Sequence, residues 1–508
     1  MNVLLLAFES EGVPIGQLAK MFKSNNHSVK ILNVDHYNIK YTKGFLFDYY
    51  KNECSIPQQD IYTLRSIHEE INTYNEDSTE LIVDFSFLKK FEEDNLPEGQ
   101  TLNKIFSTDT LFYRVFHHRD YYYIPENKII FYKLAETIAK FALSFFDNFK
   151  PDLIFTIQNQ YSLKYLFYSI AQKRRINFQT LYASRLSTKW IFTDNFHVGT
   201  SPTVIKNIES RIINNASVNL AVNFFIEFKK SKEASYQSHA TVIKYFNNQY
   251  QLKNRLRSSF NSIKLYTKNL IKGSVTKYRV WYKKDYFEPN FFSLTRLEMK
   301  GIYRMLQYRN NKSLNNSQLP DCPYVYFSLH LIPESSTSTM ANTLNELECI
   351  YQLSKVLPVN WKIVVKLNPL MLTGVDTHPT DYYKTINRIP SVYFIEPTFS
   401  SLKIIQQSEA VATLSGTSLL EAVIYDKPAF CWGKPEFNII DGIYLFNEEN
   451  FWENFFKPVD KTRLNHYVQY CLEEGIDFDF DKLISVIDIV NEEFYKNTIE
   501  KIYSVLTK

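Results

Sequence analysis

Three short stretches in the last third of the sequence combine hydroxyls, a cation and a helix start in a way that suits phosphate chemistry. The most regular is Ser415-Gly416-Thr417-Ser418-Leu419-Leu420-Glu421-Ala422. Gly416 permits a tight strand-to-helix turn, and Thr417 and Ser418 place hydroxyls and unpaired backbone N–H groups at a helix N-terminus, where phosphate binds. Glu421, one turn on, could then reach the hydroxyls of a ribose. The same residues have a purely structural use, because Ser418-x-x-Glu421 also fits a capping box whose glutamate only closes the helix start. The second stretch runs from His330 through Pro333, Glu334, Ser335 and Ser336 to Thr339 and contains no glycine. Its hydroxyls could hold an anion, with His330 as a donor to phosphate or as an acid/base group; the alternative is a strand-end histidine satisfied by its own surroundings. The third is Lys366-Leu367-Asn368-Pro369, whose lysine could neutralise a diphosphate or simply solvate a surface.

Each stretch follows an apolar run that reads as a buried strand. From Pro323 the order is YVYFSLH, helix, WKIVVKL, short helix, SVYFIEP, helix, AVATLS, helix, PAFCW. Five near-continuous apolar strands alternating with helices predict a parallel sheet covered on both faces. In such sheets ligands bind beyond the carboxyl ends of the strands, which is where the three stretches lie. The N-terminus opens with another β-α-β unit: a strand at Val3 to Phe8, a helix over Ile15 to Asn25, and a strand at Val29 to Val34. Residues 36–130 read as irregular. A helix at Tyr132 to Phe149 then leads to strands at Leu153 to Ile157 and Thr180 to Ala183, and the Asn- and Ser-rich segment 310–320 marks a boundary.

Order, spacing and content of the three stretches (H-x-x-P-E-S-S-T, K-x-N-P and S-G-T-S-x-x-E-A-x-x-x-x-K-P) resemble the C-terminal domain of the capsule polysaccharide biosynthesis family, which includes bacterial Kdo transferases; the likeness covers Tyr324 to Gly433. The resemblance implies an α/β, GT-B-like fold: two Rossmann-like domains facing a central cleft, with a helical basic insertion. An acceptor domain would span 1–310 with the insertion at about 229–284, a nucleotide-sugar domain 320–480, and terminal helices 481–508. It implies a glycosyltransferase that needs no metal and no cofactor besides its nucleotide-sugar substrate, and whose acceptor is a glycan or lipid-linked glycan. Donor binding would fall on His330, Glu334, Ser335, Lys366, Asn368, Pro369, Ser415, Gly416, Thr417 and Glu421, with Ser336 and Ser418 added for their hydroxyls. Related transferases often carry His-Pro where this chain has Asn368-Pro369. Asparagine brings no charge to a donor phosphate, which weighs against a CMP-linked acidic sugar and leaves UDP, GDP and CDP open.

The acceptor must approach from the N-terminal domain, so a general base is expected there, with Glu9 at the first strand tip leading, Asp120 second, and His330 a third catalytic candidate. Asp477-x-Asp479 spells a metal-and-diphosphate motif, read instead as the acidic start of a helix over Lys482 to Val490. His117, His118 and Asp120 could form a metal cluster or a general base, but no further ligand lies at a recognisable spacing, and they read instead as a surface or partly buried aromatic-His patch.

With 508 residues the chain exceeds one core. Five scattered cysteines without a CxxC pair exclude a zinc or disulfide framework and fit a reducing cytosol. No apolar stretch approaches the ~20 residues of a membrane span. Between Lys229 and Lys284 fourteen Lys or Arg face one acid, Glu233, a charge of +13 in a chain whose formal total is +4, so the rest carries −9. Interleaved apolar residues make this stretch a set of amphipathic helices, expected to meet an anionic inner-membrane surface, to pack as a solvated hairpin, or to hold an anionic glycan. Nucleic acid is not an expected partner. Two other readings compete: a nucleotide-sugar 2-epimerase-like enzyme, and a non-catalytic membrane or nucleic-acid binder that would leave the phosphate-type loops unexplained.

Overall fold

The structure, a computed structural model, describes residues 1–7, 11–33, 45–63, 82–107, 128–159, 162–197, 201–210, 215–230, 248, 251–271, 291–332, 340–341, 343, 345–372, 378, 381–478 and 493–508. Its strands are Asn2–Ala7 (β1), Ser28–Asn33 (β2), Ile61–Thr63 (β3), Leu153–Ile157 (β4), Asn177–Ala183 (β5), Lys189–Thr193 (β6), Tyr324–Ser328 (β7), Lys362–Lys366 (β8), Val392–Phe394 (β9), Ala410–Thr413 (β10), Ala429–Cys431 (β11), Ile443–Leu445 (β12) and Ile476–Asp477 (β13). They form two sheets, ordered β3-β2-β1-β4-β5-β6-β13 and β9-β8-β7-β10-β11-β12. The second sheet is parallel throughout. The first is parallel from β3 to β5, while β6 and β13 add to it antiparallel. Counted within its own unit, the second sheet runs 3-2-1-4-5-6, the doubly wound order that puts helices on both faces, and the first follows the same order with β13 added beyond its sixth strand. Both Rossmann-like units of a GT-B-like α/β chain are therefore present.

Burial explains the strand composition. Leu4, Leu5 and Leu6 of β1 and Ile363, Val364 and Val365 of β8 have no exposed surface, as strands covered on both sides require. The helix Gly12–Ser24 turns Ile15, Leu18, Ala19 and Phe22 onto the first sheet at helical spacing. Four strands, β3, β6, β12 and β13, went unread in the sequence: β3, β12 and β13 are two or three residues long, too short for any periodicity to register, and β6 follows β5 with no helix between them. The stretch read as irregular also holds the helix Phe85–Asn95, capped by Asp84, whose Oδ1 accepts from the Phe87 N–H at 2.8 Å.

The chain returns to the first unit at its end. β13 pairs with β6, and the helix Glu493–Leu506 sets Tyr495, Ile499 and Ile502 into the core shared with Phe22, whose ring lies 4.9 Å from that of Tyr503. Asp477, expected to start a helix, instead lies in β13 with its Oδ2 3.0 Å from Lys189 Nζ; Asp479 and the helix expected over Lys482 to Val490 lie outside the described residues. Between the units, Leu186, Ile191, Val204, Ile208 and Phe228 join the core that holds Leu464, Tyr467 and Val468. The Tyr467 hydroxyl donates to the Ser184 carbonyl at 2.8 Å, and Arg185 Nε donates to Glu436 Oε1 at 3.0 Å.

Of the basic stretch, the helix Leu252–Ile271 is described, helical as expected. It packs on Phe291–Asn310 through Glu298, whose Oε2 accepts from Arg255 Nη2 at 2.8 Å and from Ser259 Oγ at 2.7 Å. No described helix is long and apolar enough to cross a membrane.

Candidate functional site

In the second sheet β7 is central: the chain proceeds from it through β8 to β9, then restarts on its other side with β10, β11 and β12. β7 and β10 are the neighbouring strands at which the order reverses, and doubly wound sheets take ligands in the crevice beyond the carboxyl ends of the strands at such a point. His330 follows β7 and Ser415-Gly416 follows β10, the two strands of that switch point. Lys366 ends β8, the next strand over.

His330 is buried and held from below. Its backbone N–H donates to Glu346 Oε1 at 2.8 Å, and its Nδ1 lies 3.1 Å from the same oxygen. Glu346 opens the helix Glu346–Val356 and has no exposed surface. A second group, Thr413 Oγ1, donates to the Ser328 carbonyl at 2.7 Å and lies 3.3 Å from the same Nδ1. A carboxylate at Nδ1 selects the tautomer with hydrogen on that nitrogen and leaves Nε2 as an acceptor, or as a donor once the ring is protonated. Nε2 is buried and has no hydrogen-bond partner among the described residues. Within them the strand-end histidine satisfied by its surroundings is only half realised: one nitrogen is fixed and the other is unmatched.

Gly416 explains where Nε2 sits. A Cβ built on Gly416 would come 3.0 Å from His330 Nε2 and 3.3 Å from Cε1, so this position is glycine because the imidazole lies against it. Freedom for a tight turn, the reason expected from the sequence, is the smaller factor. The helix that follows, Ser418–Ile424, has Thr417 as its N-cap without a side-chain cap bond, and Ser418 Oγ is buried without a partner among the described residues. Ser418 thus does not act as the cap of a capping box. Ser415 is buried beside it.

Lys366 is no surface lysine. Only 4% of it is exposed, and its Nζ donates to Ser401 Oγ at 2.8 Å. Burial pulls its ammonium down to about 8 against the opposing pull of the Glu421 carboxylate. Glu421 is itself buried, and Tyr326, pushed up to about 12 chiefly by burial, hydrogen-bonds Ser328 and Ser401 and feels the same carboxylate. Lys366, Ser401, Tyr326 and Glu421 thus form one polar cluster under the crevice. An ammonium and a carboxylate that sense each other at low dielectric can serve a diphosphate and a ribose side by side.

Asn368 follows β8 and its carbonyl accepts from the Met371 N–H at 2.9 Å, closing the turn that Pro369 begins. Glu334, Ser335, Ser336, Glu9, Asp120, His117 and His118 lie outside the described residues. Four groups at the site escaped the sequence reading, Glu346, Ser401, Thr413 and Tyr326. Glu346 carried a weak signal as an acid in the first turn after a helix-capping Asn345; Ser401 carried none.

The first sheet has its own switch point between β1 and β4. There the Lys164 ammonium donates to Glu11 Oε2 at 2.6 Å and to the Ile157 carbonyl at 2.8 Å, with both side chains buried. Burial drives Lys164 downward and Glu11 opposes it. This ion pair ties the start of the helix Gly12–Ser24, just after Glu9, to the end of β4. Arg185, after β5, reaches the second unit through Glu436, whose carboxyl burial pushes upward against the guanidinium's pull. Arg185 Nη2 also donates to the Tyr182 hydroxyl at 3.1 Å, and that hydroxyl to Met340 Sδ at 3.8 Å, just past the loop that carries Glu334.

No protein-family model matches the sequence, and no curated protein does. Solved structures similar to the chain include a beta Kdo 2,7 transferase of Thermosulfurimonas dismutans, at 10% identity over 72% of this chain and 88% of that one with a TM-score of 0.36. A beta Kdo 2,4 transferase of the same organism matches at 10% identity over 66% and 88%, also at 0.36. The UDP-GlcNAc 2-epimerase of Neisseria meningitidis bound to UDP-GlcNAc matches at 12% identity over all of both chains with a TM-score of 0.23. The Kdo transferases, to which the three loop motifs point, are thus among the structural neighbours.

Proposed function

We propose that the chain is a glycosyltransferase that takes a nucleotide-sugar donor at the carboxyl edge of the second sheet and passes the sugar to a surface glycan, capsular or of lipopolysaccharide type. The observation that carries this reading is the His330–Glu346 pair: a carboxylate-oriented imidazole whose buried Nε2, unmatched among the described residues, sits at the switch point against Gly416. Such a group can donate to a phosphate oxygen or move a proton at that point, and neither use is needed for folding. Lys366 then offsets the charge of the leaving nucleotide, and Glu421 takes the ribose hydroxyls. With an ammonium and helix-start N–H groups facing the phosphates, the transfer needs no metal. Residues 320–480 form the donor unit and 1–310 the acceptor unit, which supplies the base, Glu9 first and Asp120 second. The reaction belongs to the cytosol, where nucleotide sugars are the substrates and glycan or lipid-linked glycan the acceptors.

The test is incubation with a panel of CMP-, UDP-, GDP- and CDP-sugars. Transfer to an acceptor, or slow donor hydrolysis that stops in His330→Ala, is the expected result. Formation of a 2-epimer without transfer would replace the transferase by an epimerase, and failure to bind any nucleotide would overturn both.

A further inference from the structure

The helix Leu252–Ile271 contains five basic residues and no acid. Only Arg255 turns inward, to Glu298. Lys253, Arg257, Lys264 and Lys268 are exposed, and none has a carboxylate within ion-pair distance among the described residues. Leu265 is exposed to one side of this face, and within it, among the four cations, stand two exposed apolar side chains one turn apart, Leu256 at 48% and Phe260 at 67% exposure. At 100° per residue these six positions fall within a single sector of about 120°. The neighbouring helix Phe291–Asn310 also exposes an apolar pair one turn apart, Met299 and Tyr303.

Cations alone would be an ordinary solvated face. An exposed Phe and Leu among four unpaired cations, on a helix without acids, is the composition of a helix that lies in a bilayer interface. A polyanion such as DNA or an anionic glycan would answer the charges and offer nothing to Leu256; an anionic lipid surface answers both. We propose that the outward face of Leu252–Ile271 docks the protein on an anionic bilayer, with Lys253, Arg257, Lys264 and Lys268 against the headgroups and Leu256 and Phe260 in the headgroup–acyl boundary. This does not rest on the transferase reading, since docking needs no nucleotide.

The experiment is flotation of the full chain with phosphatidylcholine vesicles, with and without about 30% phosphatidylglycerol. At about 50 mM salt the protein should float with the anionic vesicles, and binding should fall at least about tenfold on neutral ones or at about 500 mM salt. Lys253→Gln/Arg257→Gln/Lys264→Gln/Lys268→Gln and, separately, Leu256→Ser/Phe260→Ser should each lose binding while keeping the native melting temperature, because all six side chains are exposed. Phe260→Trp, a conservative change, should shift its emission to the blue on anionic vesicles only. Absence of flotation at low salt, equal flotation on neutral vesicles, undiminished binding by Leu256→Ser/Phe260→Ser, no blue shift, or tighter binding to DNA or an anionic polysaccharide than to vesicles would each overturn the proposal.

Discussion

Replacing Glu346 by glutamine isolates the role of the carboxylate behind His330. The side chain keeps its size and its Oε1, so the fold should survive, but two contacts change character: the His330 N–H at 2.8 Å and Nδ1 at 3.1 Å would meet a neutral oxygen. A hydrogen bond to a charged group is worth about 1.5–3 kcal/mol and a neutral one about 0.5–1.5, so the hold on the imidazole should weaken by about 2 kcal/mol. Nucleotide affinity should then fall about 30-fold, since every ~1.4 kcal/mol is a factor of ten. Calorimetric titration of four proteins checks this: native, Glu346→Gln, His330→Ala and the double variant. If Glu346 acts through His330, Glu346→Gln should cost little in the His330→Ala background, a coupling of the size expected of contacting residues. An equal loss in both backgrounds would show that Glu346 supports the loop in general and refute the reasoning.

Lys366 predicts a pH dependence with a definite sign. Its ammonium is held down at about 8, so the folded chain binds this proton less well than the unfolded chain; the group costs stability below about pH 8, and that cost is relieved as pH climbs towards 10.5. Urea midpoints should show the rise in the native protein and not in Lys366→Met, while nucleotide affinity of the native protein falls above about pH 8. Gly416→Ala puts a Cβ 3.0 Å from Nε2 and should weaken nucleotide binding with the melting temperature nearly unchanged; Gly416→Val should abolish it, and retained affinity in the folded protein would refute the placement. Glu421→Gln should weaken a ribonucleotide more than its deoxy counterpart, whereas equal losses would confine Glu421 to a structural role at the helix start. In the first unit, Lys164→Met takes the ammonium from the buried Glu11 carboxylate and should cost about 3–5 kcal/mol, read as a lower urea midpoint, with Glu11→Leu added to it restoring part of the loss.

The strands that matter were legible because they are long and apolar: β1, β4, β7, β8 and β10 show as runs of Val, Ile, Leu and aromatics, and the loops after β7, β8 and β10 announce themselves by Ser, Thr, Gly and Lys where a parallel sheet binds ligands. Strand order was not legible. Nothing in the runs themselves says that β10 lies beside β7, and that adjacency is what brings His330 to Gly416. Glu346 was hidden for a similar reason: sixteen residues beyond His330, it looks like any acid at a helix start. The acidic Asp477 motif misled because β13 is two residues long and is defined by its partner β6 rather than by its own pattern.

The central claim is that the crevice between the β7 and β10 loops binds the nucleotide of a sugar donor. Thermal melting of the native protein and of His330→Ala with CMP, UDP, GDP and CDP tests it most directly, because a ligand at 100 times its dissociation constant stabilises by about 2.7 kcal/mol. The expected result is a rise in melting temperature with one of the diphosphates, strongly reduced in His330→Ala; no shift with any nucleotide, or a shift that His330→Ala leaves intact, would contradict it.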